Sequence, residues 1–187
     1  MFGNFFEGVS VTIILGALWK LYIHKRGRIL ERKLLIDVEP SFKSLNEYRL
    51  LSVDVRLTNA GGVKLEAKNV GEDDVVYEDA FERLKYACSL QVKRLNPQKL
   101  KEERSVGWYD SDALEPVPNL PAEINLLDEY LLPNEGNKTA FWMEPGDVVY
   151  LPTTLVLRPA DYLLKVSFYG TNPIKDFWSR QTHVRVE

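Results

Sequence analysis

Apolar residues follow two different patterns along this chain, and the change falls near residue 34. Beyond it they recur at every second position. The cleanest alternation lies at 49–58, where Leu51, Val53, Val55 and Leu57 share one face and Ser52, Asp54, Arg56 and Thr58 the other. That period marks a half-buried antiparallel strand. Asn59-Ala60-Gly61-Gly62 follows, rich in residues that tolerate positive φ, and then Val63, Leu65 and Ala67 alternate against Lys64, Glu66 and Lys68. A hairpin of 49–58 with 63–68 is predicted. The same period recurs at 86–92, 148–157, 162–169 and 177–186, with Pro152 suggesting an edge position or a bulge. Shorter strands are expected at 34–38, 124–127 and 140–143, an edge strand at 106–110, a helical turn at 78–85 and a brief surface helix at 97–104. Glu144-Pro145-Gly146-Asp147 has the residues of a type II turn. Pro116, Pro118 and Pro121 each remove a backbone donor, so 114–122 is not a central strand.

Before residue 34 the pattern is a run rather than an alternation. Residues 8–19 carry no charge, and Phe5 and Phe6 before them and Leu21, Tyr22 and Ile23 after them lengthen the apolar stretch. As a helix, 1–23 would measure about 34 Å, enough to cross a bilayer. Glu7 and Lys20 then fall near opposite edges, with Trp19 and Tyr22 where an aromatic belt belongs. No Lys or Arg precedes Lys20, which argues against a signal peptide, and no charged face marks a surface-lying helix. The expected organisation is a transmembrane anchor at 1–23, a basic juxtamembrane neck at 24–33 and a β-domain at 34–187.

Charge adds an orientation. Between 20 and 33 six basic residues, Lys25, Arg26 and Arg28 among them, face one acid, Glu31. From Leu34 onward 18 basic residues meet 25 acidic ones, a net charge of −7. Trp19, Lys20, Tyr22, Lys25, Arg26 and Arg28 are the expected membrane-interface residues. The Lys/Arg bias puts the N-terminus outside and the β-domain in the cytoplasm. An acidic domain is a poor partner for nucleic acid. With 187 residues in all, the part beyond the neck is the size of one domain with its own core.

Candidate chemistry is sparse. Cys88 is the only cysteine, so no intramolecular disulfide can form, and its apolar setting suits a small buried side chain. His24 and His183 are the only histidines, and no motif surrounds a serine. There is no Gly-rich phosphate loop and no Cys/His metal spacing. Glu72, Asp73 and Asp74 are adjacent rather than alternating, unlike a calcium loop. No catalytic residue, metal or cofactor is expected. The irregular stretch 96–122 is where binding usually resides. Trp108, Tyr109, Asp110 and Asp112 are therefore the candidate partner surface. The plainer reading, which the residues favour, has Trp108 and Tyr109 cover a core edge.

Residues 155–166, Leu155-Val156-Leu157-Arg158-Pro159-Ala160-Asp161-Tyr162 and the strand after them, resemble the late strand pair of immunoglobulin-like and fibronectin-III-like modules. The resemblance implies an antiparallel β-sandwich of about seven to nine strands, with Tyr162 as a tyrosine corner bonding back to the turn backbone. The outline of anchor, neck and sandwich is similar to uncharacterised single-pass prokaryotic membrane proteins. The function expected is a non-catalytic module for protein–protein interaction at the membrane, its partners the lipid bilayer and another membrane or cytoplasmic protein. The alternative is an extracytoplasmic ligand-sensing or transport-accessory domain. The sequence leaves any small-molecule ligand unknown.

Overall fold

Alternation at 49–58 becomes one strand of an antiparallel, almost wholly β architecture. The structure, a computed structural model, describes residues 31–68, 86–99, 106–128, 139–171 and 176–187, with 16, 18–20, 22, 76–77, 83–84, 130 and 132–133. In chain order the strands are β1 (Leu34–Leu45), β2 (Tyr48–Asn59), β3 (Leu65–Lys68), β4 (Val76–Tyr77), β5 (Arg83–Leu84), β6 (Cys88–Leu95) and β7 (Leu114–Pro116). They continue as β8 (Ile124–Asn125), β9 (Leu132–Pro133), β10 (Thr139–Met143), β11 (Val148–Leu157), β12 (Ala160–Tyr169) and β13 (Phe177–Val186). Four of these thirteen are two-residue pairings, so nine strands among the described residues have three residues or more.

One sheet has the order β1-β2-β11, and another the order β13-β12-β6-β7 with β8 also on β6. A smaller sheet, β3-β10-β9, adds Leu65, Ala67, Phe141 and Met143 to the same apolar core. The inward rows of the two larger sheets are Leu51, Val53, Val55, Leu57, Leu151 and Leu155 on one side and Leu90, Leu164, Val166, Phe168 and Val184 on the other. Burying a Leu, Val or Phe contributes about 1.5–3 kcal/mol each, which makes this shared interior the main source of stability. Period-two patterning thus selects an all-β sandwich.

Several expectations are corrected. β2 does not form a hairpin with 63–68: its neighbours are β1 and β11, while β3 pairs with β10. Turn 59–62 instead carries the chain from one sheet to another. Asn59 organises it. Its side chain is buried and donates to Val63 O at 2.9 Å and Met143 O at 3.0 Å, and its Oδ1 accepts from Gly61 N at 3.1 Å. The strand at 34–38 runs on through Pro40 to Leu45, because β1 is an edge strand where a missing N–H costs no ladder bond. Residues 106–110 form no edge strand, since Asp110 N donates to Gly107 O in a turn. Residues 97–99 form a turn, with 100–104 outside the described residues, and the described part of 78–85 is the strand β5.

Other expectations hold. Pro152 lies on β11, an edge of its sheet. Gly146 has φ of +91°, the left-handed value that the second central position of a type II turn requires. Cys88 is fully buried, and burial pushes its thiol up.

The strands run alternately between two ends. At one end lie Leu34, Asn59, Val148, Tyr169 and Phe177; at the other Leu45, Tyr48, Leu157, Ala160 and Val186. Residues 31–33 belong to the first end. Ala60 N and Gly61 N donate to Lys33 O at 2.9 and 3.1 Å, Gly62 N donates to Glu31 O at 3.0 Å, and Arg32 is paired with buried Asp176. A Cβ on Gly61 would stand 2.3 Å from Glu31 O, so this approach requires glycine. The last residues of the basic neck are therefore docked on the domain. Most of the 1–23 anchor and of the neck lies outside the described residues, Lys25, Arg26 and Arg28 included. Trp19, Lys20 and Tyr22 are helical and exposed, and the Trp19 and Tyr22 rings stack with centroids 5.7 Å apart. No helix among the described residues is long and apolar enough to cross a membrane.

Candidate functional site

The sequence pattern assigns one face of β6 and β12 to the core and leaves the opposite face, with Ser89, Gln91, Lys93, Lys165, Ser167 and Tyr169, to solvent. The structure buries much of that second face as well: Ser89, Gln91, Lys165, Ser167 and Tyr169 are each less than one-twentieth exposed. The buried apolar side chains of the irregular stretch 106–128 are Trp108, Ala113, Leu114, Leu126 and Leu127. Leu126 N donates to Cys88 O at 3.0 Å and Asn96 N to Ala113 O at 2.9 Å, tying that stretch to β6.

Trp108 is the anchor of this cover. Only 2% of it is exposed, its carbonyl accepts from Lys93 Nζ at 3.0 Å, and that ammonium lies 4.3 Å from its ring centroid. Lys165 Nζ lies 5.3 Å from the same ring and 5.1 Å from the Tyr109 ring, with the Tyr109 hydroxyl at 3.4 Å. Both ammonium groups are thus within cation–π range, an attraction that strengthens when the cation is desolvated. Buried lysine ammonium needs such compensation.

Beneath the cover is a polar seam. Ser89 sits opposite Ser167, and Gln91 opposite Lys165, across the β6–β12 ladder. Ser89 Oγ, Gln91 Oε1, Ser167 Oγ and Tyr169 OH are buried with no hydrogen-bond partner among the described residues. Each such group costs about 1–3 kcal/mol. Burial pushes the Tyr169 phenol up, reinforced by the Glu123 carboxylate.

The four candidate surface residues therefore separate. Trp108 is buried against Lys93 and Lys165 on the sheet face away from the apolar core, and cannot meet a partner without leaving its seat. Tyr109 is 49% exposed. Asp110 caps the turn, its Oδ1 accepting from Ala113 N at 3.2 Å. Asp112 is exposed. Pattern reading missed Lys93, Lys165 and the seam because polar residues at period two read as a solvent face. The available signal was the neighbouring proline-rich stretch, too irregular to be free-standing and long enough to cover a sheet.

Elsewhere, His183 Nε2 lies 3.1 Å from Asp161 Oδ1 on the exposed face of β12 and β13. No group of three metal-ligating side chains occurs among the described residues. Residues 71–74, the acidic turn, lie outside them. Comparison of the sequence with protein-family models gives no match, and comparison with curated proteins gives none either.

Proposed function

We propose that this chain is a single-pass membrane protein presenting an immunoglobulin-like sandwich on the cytoplasmic side, where it serves as a non-catalytic protein-binding module. The immunoglobulin-like assignment is supported by Tyr162, whose hydroxyl donates to Arg158 O at 2.7 Å, the tyrosine-corner bond. Membrane anchoring is supported by the apolar run and basic edge of 1–33, and by the docking of 31–33, which ties that segment to one end of the sandwich.

One observation carries the binding assignment: Tyr109 is half-exposed on a turn held from beneath by Trp108 and two lysines. A tyrosine fixed in this way offers a large amphipathic contact with little ordering entropy left to lose. The partner is a protein with a pocket for an aromatic side chain, met at the membrane surface.

Pull-down with the detergent-solubilised chain tests this, and Tyr109→Ala is the informative variant. It should abolish capture of a defined partner, a loss of about 2 kcal/mol or more, while changing stability by less than about 1 kcal/mol. Trp108→Ala is uninformative about binding alone, because emptying that seat costs about 3–5 kcal/mol of stability. A partner retained in full by Tyr109→Ala would overturn the assignment.

A further inference from the structure

A cleft of about 310 Å³ opens at the end of the sandwich opposite residues 31–33. It lies where the β1–β2 turn, the β11–β12 turn, the end of β6 and the loop 117–120 converge. Val117, Pro118 and Val156 give it apolar walls, Tyr162 contributes a buried aromatic ring, and Arg94 and Arg158 line it with two guanidinium groups.

Arg94 lies near the end of its strand, beyond the buried Cys88, Leu90 and Val92, and sits opposite Tyr162 in the ladder. Its side chain, like that of Arg158, is exposed at the mouth of the cleft. Neither guanidinium makes a hydrogen bond or ion pair with another described side chain, and no carboxylate is among the described residues that line the cleft. The carboxylate nearest in register, Glu115 opposite Arg94, is bonded outside the cleft. It accepts from Asn96 Nδ2 at 2.6 Å and faces Lys99 Nζ at 3.5 Å; the Asn96 bond above all, then Lys99 and the more distant Arg94 charge, hold it below the usual carboxylate range. Both arginines also favour the phenolate form of Tyr162, opposing the larger effect of its burial. The Tyr162–Arg158 bond fixes the turn that carries the second arginine.

We propose that this cleft binds a compact organic carboxylate, with Arg94 and Arg158 taking the charge and the apolar walls taking the body. Guanidinium matches carboxylate geometry, and charge-assisted bonds to it are about twice as strong as neutral ones. A volume of about 310 Å³ is at the small end of ligand sites, which excludes an extended chain but admits an aromatic acid or the last residue of a peptide. The net charge of −7 beyond the neck opposes anions at long range, but at physiological salt that field is screened beyond about 8 Å, so the two arginines decide the local outcome. None of Trp108, Tyr109, Asp110 or Asp112 lines the cleft. Failure of this inference and failure of the Tyr109 surface are therefore separable.

Calorimetric titration of the full chain in mild detergent is the test, with phenylacetate, phenylacetamide, phenyl phosphate and acetyl-Ala-Phe as probes. Phenylacetate should bind with Kd of about 1 mM or tighter, and phenylacetamide about tenfold or more weaker. Arg94→Gln and Arg158→Gln should each weaken phenylacetate about tenfold with circular dichroism unchanged. Arg180→Gln, which removes an exposed charge outside the cleft, should not. Tighter binding of acetyl-Ala-Phe assigns the carboxylate to a peptide terminus, and tighter binding of phenylacetate to a free acid. Equal binding of acid and amide, preference for phenyl phosphate, equal loss in Arg180→Gln, or no heat from any probe would each overturn the proposal.

Discussion

Cys88, the one cysteine of the chain, and Tyr162 and Tyr169 are each buried, and each is pushed above its ordinary pKa, chiefly by desolvation of the charged form. The sign of the consequence follows from proton counting. In the unfolded chain the thiol titrates near pH ~8.5 and the phenols near ~10, whereas the folded chain still holds those protons. The unfolded state then binds fewer protons, so stability falls as pH rises, with a slope of at most about 1.4 kcal/mol per pH unit for each group. Full stability is expected below about pH 8.5, a first loss above it from Cys88, and a steeper one above about pH 10 as the tyrosines join. Denaturant midpoints measured across that range check this. Cys88→Ala should flatten the first segment whatever it does to absolute stability, and a wild-type curve flat from about pH 8.5 to 10 would contradict the argument.

At the scale of elements, strands were legible where one face alone is buried. β2, β11 and β13 announce themselves by period two, and Gly146 announces its turn. Pairing was less legible, because alternation says which face is inward and not which strand lies alongside. Turn 59–62 has hairpin chemistry, yet Asn59 uses it to bond Met143 O, 84 residues away, and β3 joins β10. The candidate site was legible only in part: Tyr109 could be singled out by type and setting, but the seam beneath Trp108 depends on a loop covering a sheet. That seam yields its own prediction. Ser89 and Ser167 face each other across the ladder with buried hydroxyls that no group among the described residues satisfies. Replacing either by Ala removes a desolvated hydroxyl at almost no cost in volume, so each of Ser89→Ala and Ser167→Ala should stabilise the chain by about 1 kcal/mol. Chemical denaturation measures it, and a loss of stability of similar size would mean that the hydroxyls are bonded in the folded protein.

Across the whole molecule, the two ends of the sandwich differ in what they carry. Residues 31–33 are fixed at one end, and the arginine cleft opens at the other, separated by the length of β2. Twelve strand residues span roughly 35–40 Å. Between Ile23, the end of the proposed anchor, and Glu31 the chain can reach roughly 28 Å at most. A chain anchored through 1–23 thus keeps its docked end near the bilayer, and with the sandwich upright the cleft faces away from it, open to small molecules rather than to lipid. Cys88 makes this measurable, because a buried, protonated thiol does not compete with an introduced one. Lys64→Cys labels the docked end and Glu47→Cys the turn between β1 and β2 at the far end, both at exposed positions. In vesicles containing an acceptor-labelled lipid, a fluorophore at 64 should transfer energy strongly and one at 47 weakly, the difference reflecting the roughly 35 Å between them. Equal transfer from both sites would mean that the sandwich lies flat on the membrane, and stronger transfer from 47 would put the cleft against the lipid.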